Sequence, residues 1–298
     1  MMKTEIEEEL KQRNKELLIL NTIISFINQF LNVGELLENA LEKVLEIMAI
    51  ESGALLLLND KKDLFLLETS KGFSPDFVSK ISRIDAEESI IGRTICSGNQ
   101  IMLGEGNTIN KETSEWLFSQ DFNTLLCLPV KTKKRVYGMM MCGHRYSLFF
   151  NKRITSILEN IGYQIAISIE NALLYKEAKE SEEKYHHLLE SANIGIISLT
   201  KEGDIFQFNK KAQEIFGYTR EEVAKKRLAD LLSEKQTQLI ETITKEYMTL
   251  GNDKAFDQTI VSYGRKKDGK EIQLEISYSI WGDRHNPVIT ATVKDMAY

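Results

Sequence analysis

Seven side chains in this sequence could carry redox, nucleophilic or proton-transfer chemistry: Cys96, Cys127, Cys142, His144, His186, His187 and His285. A cysteine acts through its thiolate, so its use depends on what surrounds it. Cys127 and Cys142 fall in two apolar runs, Thr124 to Val130 and Arg135 to Cys142, that read as the two strands of a hairpin. Burial as a small hydrophobe is the commoner use of cysteine there. The wide spacing of the three thiols makes no disulfide framework and suits a reducing compartment. Met139, Met140 and Met141 alternate along the second strand, so two face one side and one the other, as in a packed core. His144 follows that strand. It could reach the mouth of a pocket, although exposure at a strand end is the ordinary outcome. Trp281 closes another strand and either lines a pocket or fills the core, of which core is the commoner. His285 sits in the loop Gly282 to Pro287 and reads as solvated. Trp116, Cys127, His144 and Trp281 are thus the pocket candidates.

The elements that must position these residues fall into two sets. Residues 3 to 31 read as a helix with apolar residues at Ile6, Leu10, Leu17, Leu20, Ile24, Ile27 and Leu31. That spacing is a heptad seam, suited either to a parallel dimer or to packing on its own domain. A second helix covers about Val33 to Ile47. The period then shortens to strands at Gly53 to Leu58 and Leu64 to Thr69 across an Asn59-Asp60 turn. Ser74-Pro75 starts a short helix, Glu87 to Ser97 a second ended by Gly98, and residues 104 to 121 form a loop with a short helix holding Trp116.

A helix from near Asn151 to Ser191 follows, with only Gly162 to interrupt it. The second set begins after it. Strands are expected at Ile194 to Thr200 and Ile205 to Phe208, and then Asn209 caps a helix ending at Gly217. Thr219 and Glu222 make a capping box, and a longer helix covers about Ser233 to Leu250. Three strands close the chain at Ala255 to Gly264, Lys270 to Ile280 and Pro287 to Lys294, the first two joined at Asp268-Gly269. The fold class is α+β: two tandem domains, each an antiparallel sheet with flanking helices, joined by a long continuous helix. The domains divide as an N-terminal signalling helix over 1–16, a first domain over 17–175, a charged helical connector over 176–182 and a second domain over 183–298.

The chain has 298 residues, 28% of them charged, and a formal net charge of −6. That balance disfavours a broad nucleic-acid surface. No apolar run reaches the roughly 18 to 20 residues of a membrane span. The N-terminus Met-Met-Lys-Thr-Glu-Ile-Glu-Glu-Glu is acidic and unlike a signal peptide, so a cytoplasmic protein is expected.

The first set resembles a GAF domain, through Glu35 to Leu45, Ile91-Gly92-Arg93, Leu126 to Val130, Tyr137-Gly138-Met139 and Gln164 to Ala172. The second resembles a PAS domain, through Leu188 to Ala192, Gly203-Asp204-Ile205, Phe208-Asn209, Phe216 to Thr219, Lys267-Asp268-Gly269 and Lys294-Asp295-Met296. Each motif is weak alone, but their order runs through nearly the whole chain. The resemblance implies sensory modules of the kind found upstream of histidine kinases and nucleotide-messenger enzymes. It also implies a small-ligand pocket between sheet and helices, and dimerisation through flanking helices.

Several family chemistries find little support in the residues. The cyclic-nucleotide signature continues past Asn-Lys with a Phe and an acidic pair, which do not follow Asn151-Lys152 in place. A thiol like that of methionine sulfoxide reductases would fall near Cys96, beyond Ile91-Gly92. The PAS-like half has no cysteine for a flavin adduct, and residues 233 to 250 have no histidine for haem. His186-His187 lacks the acidic, Arg and Pro context of a phosphoacceptor. No cofactor is named by the residues.

The reading is a non-catalytic cytoplasmic sensor. It binds a small ligand or partner and relays the change through a parallel homodimer to a separate histidine kinase or response regulator. One alternative is the sensory portion of a histidine kinase, or of a messenger-nucleotide enzyme, whose transmitter lies outside this chain. Another is a small-molecule enzyme using Cys96, Cys127 or Cys142. In the register of Leu158, Ile161 and Ile165, the long helix continues through Ser168, Ala172, Tyr175, Lys179 and Glu182. Transmission is therefore assigned to Tyr175, Lys179 and Glu182, and at the C-terminal end to Lys294 and Asp295.

Overall fold

The structure is a computed structural model. It describes residues 13–14, 17–18, 21–26, 32–104, 123–146, 149–224, 226–232, 234–250, 259–283 and 285–296. Two compact units divide at Glu177 and Ala178.

The first unit begins with helix α1 (Val33–Met48), capped by the Asn32 side chain and closed at Ala49 in the left-handed region. Strands β1 (Ser52–Leu58) and β2 (Leu64–Lys71) follow, then α2 (Pro75–Ile81), β3 (Arg83–Asp85), α3 (Ile90–Cys96), β4 (Ile101–Gly104), β5 (Thr124–Lys131) and β6 (Val136–His144). Ser74 caps α2 with Pro75 in its first turn, as the sequence predicts. The strands form one antiparallel sheet in the order β3-β2-β1-β6-β5-β4. Strands β3 and β4, of three and four residues, escape the sequence reading. Neighbouring strands run so close at Gly138 that a Cβ there would collide with the Leu56 carbonyl oxygen.

Both faces of this sheet are covered. Leu126, Leu128, Met140 and Cys142 pack against α1 and the long helix α4 (Lys152–Ser191). Leu125, Cys127, Met139 and Met141 face Phe77, Ile81, Ile91 and Ile95 of α2 and α3. The expected split of the three methionines is therefore observed. Helix α4 passes Gly162 without a break. A Cβ there would lie 3.3 Å from the Pro129 carbonyl oxygen, so a hydrogen keeps the helix close to β5.

Of the N-terminal seam, Ile6, Leu10, Leu20, Ile27 and Leu31 lie outside the described residues. Leu17 is half-exposed, Ile24 is partly buried, and Ile23, outside the heptad positions, is the residue buried in the unit's own core.

The second unit is built from β7 (Gly195–Leu199), β8 (Ile205–Phe208), α5 (Lys210–Phe216), α6 (Arg220–Val223), a 3-10 turn at Leu228–Asp230, α7 (Glu234–Leu250), β9 (Thr259–Arg265), β10 (Glu271–Asp283) and β11 (Asn286–Asp295). Asn209 caps α5, Gly217 ends it at φ 77°, and Thr219 and Glu222 form the capping box. The sheet is antiparallel with the order β8-β7-β11-β10-β9. Ile272, Leu274, Ile276, Tyr278 and Ile280 alternate inward along β10, onto a core shared with α5 and α7. The opposite face of this sheet is open, with Val261, Tyr263 and Trp281 exposed.

Candidate functional site

Helix α4 is the element with a role in both units. Up to Ala172 its inward residues, Leu158, Ile161, Ile165 and Ile169 among them, are buried in the first unit's core. The apolar half of the expected seam is thus used in intramolecular packing. From Leu173 to Leu188 the helix is exposed, including Tyr175 (57%), Lys179 and Glu182. A second row one residue earlier, Leu174, Ala178, Ser181, Tyr185 and Leu188, recurs by four and three and is exposed along its whole length.

The far end of α4 is tied to the second unit by Asn209. This side chain is fully buried, and all four of its amide positions are engaged. Its Nδ2 donates to the carbonyls of Leu189, at 2.8 Å, and Ile194, at 3.0 Å. Its Oδ1 accepts from the backbone N–H groups of Ile196, at 2.8 Å, and Ala212, at 3.0 Å. Glu190 adds a bond, its Oε2 accepting from Lys210 N at 2.8 Å. Sequence reading finds only the capping contact, because the other three partners are distant in the chain.

A cleft of 230 Å³ lies between α7, the 3-10 turn and the Thr200–Gly203 turn of the second unit. Leu199, Leu228 and Ile240 give it an apolar base. Helix α7 is held to β10 by Tyr278 Oη donating to Gln236 Oε1 at 3.1 Å, and by Tyr247 Oη donating to the Gly282 carbonyl at 3.1 Å. Burial pushes the Tyr278 phenol up, so it stays a donor. In the cleft wall, the Thr237 hydroxyl is buried and has no hydrogen-bond partner among the described residues. Such an orphan costs about 1–3 kcal/mol, so its position asks for a reason. Thr237, Ile240, Glu241 and Thr244 share one helix face, and threonines interrupting that face are the signal the sequence offers.

The first unit has an open, basic cleft of 590 Å³ between the end of α3 and the β5–β6 hairpin, with Lys131, Lys133, Lys134 and Arg135 around Cys96. Lys131 Nζ donates to the Gly98 carbonyl, and Arg135 lies over the Tyr137 ring at 4.1 Å.

Of the pocket candidates, Cys127, His144 and Trp281 are described, and none of these three lines the second unit's cleft. Trp116 lies outside the described residues. Cys127 is buried in the core between the sheet and α2–α3, and burial pushes its thiol up. Cys142 is buried on the opposite face, and burial pushes its thiol up to about 12. Both stay protonated near neutrality, and the sheet separates them. Cys96 is exposed, but partial desolvation and the Glu87 carboxylate raise rather than lower its pKa.

His144 is a correction: it is buried (5% exposed), not solvated at a strand end. Its ring stacks on Phe149 at 3.7 Å and its Nδ1 accepts from Tyr146 N at 3.1 Å. Phe149 and Phe150, which follow the strand, fold back around it. Burial lowers its pKa, partly opposed by the Glu51 carboxylate. Trp281 is the opposite correction: it is 56% exposed, with Nε1 donating to Thr290 Oγ1 at 3.2 Å. Ile280 faces the core, so its neighbour must face out. His285 is exposed, as expected.

At the C-terminal end Lys294 is exposed, and the Asp295 carboxylate lies 3.8 Å from Lys266 Nζ. Among the described residues no group of three or more His, Cys, Asp or Glu side chains could hold a metal ion. No helix among them is long and apolar enough to cross a membrane.

Two α+β units on one continuous helix define a tandem arrangement of sensory domains. The chain carries a GAF domain, whose family model matches residues 31–170, followed by a PAS fold, matched at residues 183–296. No match is found among curated proteins. Among solved structures, the chain is similar to the GAF domain from Acinetobacter phosphoenolpyruvate-protein phosphotransferase, at 19% identity and TM-score 0.45, covering 54% of this chain and 96% of that one. The GAF domain of a phosphoenolpyruvate-protein phosphotransferase from Coxiella burnetii is 18% identical at TM-score 0.45, covering 55% and 97%. The PAS domain of an HTR-like protein from Haloarcula marismortui is 16% identical at TM-score 0.35, covering 41% and 97%.

Proposed function

We propose that this protein is a non-catalytic, cytoplasmic signal-transduction sensor. A small ligand or partner held by one unit alters the packing of paired α4 helices, and the change is read by a separate histidine kinase or response regulator. The observation that carries this reading is α4 itself. Its first half is part of the GAF core, its last turn is bonded to Asn209 of the PAS unit, and the stretch between them is exposed. A ligand moves such a system only through unequal affinity for two helix arrangements, and a few kcal/mol suffice.

Residues 176–182 are the connector in this reading, and Tyr175, Lys179 and Glu182 form one contact line along it. The neighbouring line of Leu174, Ala178, Ser181, Tyr185 and Leu188 is more apolar and is the stronger line for a parallel homodimer. One residue corresponds to about 100° around a helix, so moving between the lines is a rotation of that size. Lys294 and Asp295 are the output end, where the Asp295–Lys266 pair holds the last strand to the β9–β10 hairpin.

Light scattering on the whole chain at micromolar concentration tests the paired state. A dimer is expected, reduced to monomer by Leu174→Glu with Leu188→Glu. A monomer before substitution, or a dimer indifferent to both charges, overturns the relay.

A further inference from the structure

Most polar groups around the PAS cleft, which holds the ligand in the sensor reading proposed above, are already paired. Thr200 Oγ1 accepts from Asp204 N at 3.3 Å, and Thr244 Oγ1 donates to the Ile240 carbonyl at 2.7 Å. Lys201 Nζ donates to the His285 carbonyl, at 2.9 Å, and to Asn286 Oδ1, at 3.1 Å, and lies 3.9 Å from Glu202. Arg227 Nε is 3.8 Å from the Asp204 carboxylate.

Two groups of the lining remain without partners among the described residues. They are the Thr237 hydroxyl, buried and unbonded, and the Glu241 carboxylate, which makes no ion pair. They stand four residues apart on α7, so they are neighbours on one face. The lining holds Glu202 and Glu241 against Lys201 and Arg227; Lys201 faces Glu202, and Arg227 faces Asp204 beside the cleft, so Glu241 is the charge left over. The balance favours a cation.

We propose that the cleft binds a small primary amine with an apolar body. Its ammonium, with three donors, reaches both the Thr237 hydroxyl oxygen and the Glu241 carboxylate, while the body rests on Leu199, Leu228 and Ile240. An apolar cavity of about 150 Å³ admits benzene. The 230 Å³ here therefore takes a ring with a short aminoalkyl chain.

The test is an amide chemical-shift titration of the full chain with 2-phenylethylamine, run beside 2-phenylethanol and phenylacetate. The amine is expected to saturate shifts at Gly203, Leu228 and Thr237. The alcohol should bind about tenfold more weakly or worse, as loss of a charged hydrogen bond implies, and phenylacetate should not bind. Glu241→Gln should cost the amine about tenfold in affinity and leave the alcohol unchanged, whereas Thr237→Val should weaken both. Equal affinities for the three compounds, amine shifts confined to other amides, or an amine affinity indifferent to Glu241→Gln would each overturn the proposal. If the alcohol or phenylacetate alone saturates these amides, the ammonium assignment fails and the sensor reading survives. If none of the three moves them, the amine proposal fails, and the dimer measurement still decides the relay on its own.

Discussion

The two sheets of this protein share a wiring plan and differ in how they are covered. In each, the first strand pairs with the last: β1 with β6 in the GAF unit and β7 with β11 in the PAS unit. The GAF sheet is packed on both faces, so β5 reads as one apolar run with no outward side. The PAS sheet is packed on one face, so β10 alternates strictly. The double cover buries the central strands β5 and β6 almost throughout, and their two cysteines serve as filler. The single cover leaves the PAS unit a free face and a cleft whose polar wall is incompletely bonded.

The largest expected effect tests this difference directly. Leu125→Ala and Leu126→Ala point to opposite faces of the GAF sheet, and each should cost about 2–5 kcal/mol in urea unfolding. In the PAS sheet Leu274→Ala should cost as much, but its neighbour Gln273→Ala should stay within about 0.5 kcal/mol. Equal costs for the two PAS residues, or a neutral GAF substitution, would erase the contrast. Next in size is Asn209→Ala, which removes the side-chain partner of two carbonyls and two N–H groups. It should destabilise the PAS unit by about 1–3 kcal/mol, read from the urea midpoint of the PAS transition.

The smallest effect concerns pH. The fold depresses the His144 pKa below the ordinary 6.5. The unfolded chain therefore binds the proton first as pH falls. The stability His144 contributes is complete above pH 6.5 and declines below it, toward the folded value. A His144→Phe variant should show a shallower loss of GAF stability between about pH 7 and 5, with the PAS transition unmoved. Identical pH slopes in the two proteins would show that His144 does not titrate on unfolding.

Much of this fold was legible because the signals are local. Ser74-Pro75, Asn209 with Gly217, Thr219 with Glu222, and Asp268-Gly269 each act within a few residues, and each forms as expected. The misreadings come from longer range. The burial of His144 depends on two phenylalanines beyond its strand. The apolar line of α4 looked like an intermolecular seam because nothing in it tells which surface covers it, and the GAF core covers it. Trp281 is a different case: the parity of β10 was readable, and preference by residue type outweighed it. The Thr237 cleft was hidden, because an unmade hydrogen bond has no sequence signature.

The bonds of Asn209 also fix an order of assembly. They span 20, 15, 13 and 3 residues of chain. Only the shortest can form with α5 alone. The others wait for the end of α4, the start of β7 and the turn before it to be in position together. The last turn of α4 and the first turn of α5 should therefore exchange their amide hydrogens as one cooperative unit, not as two helix ends fraying separately.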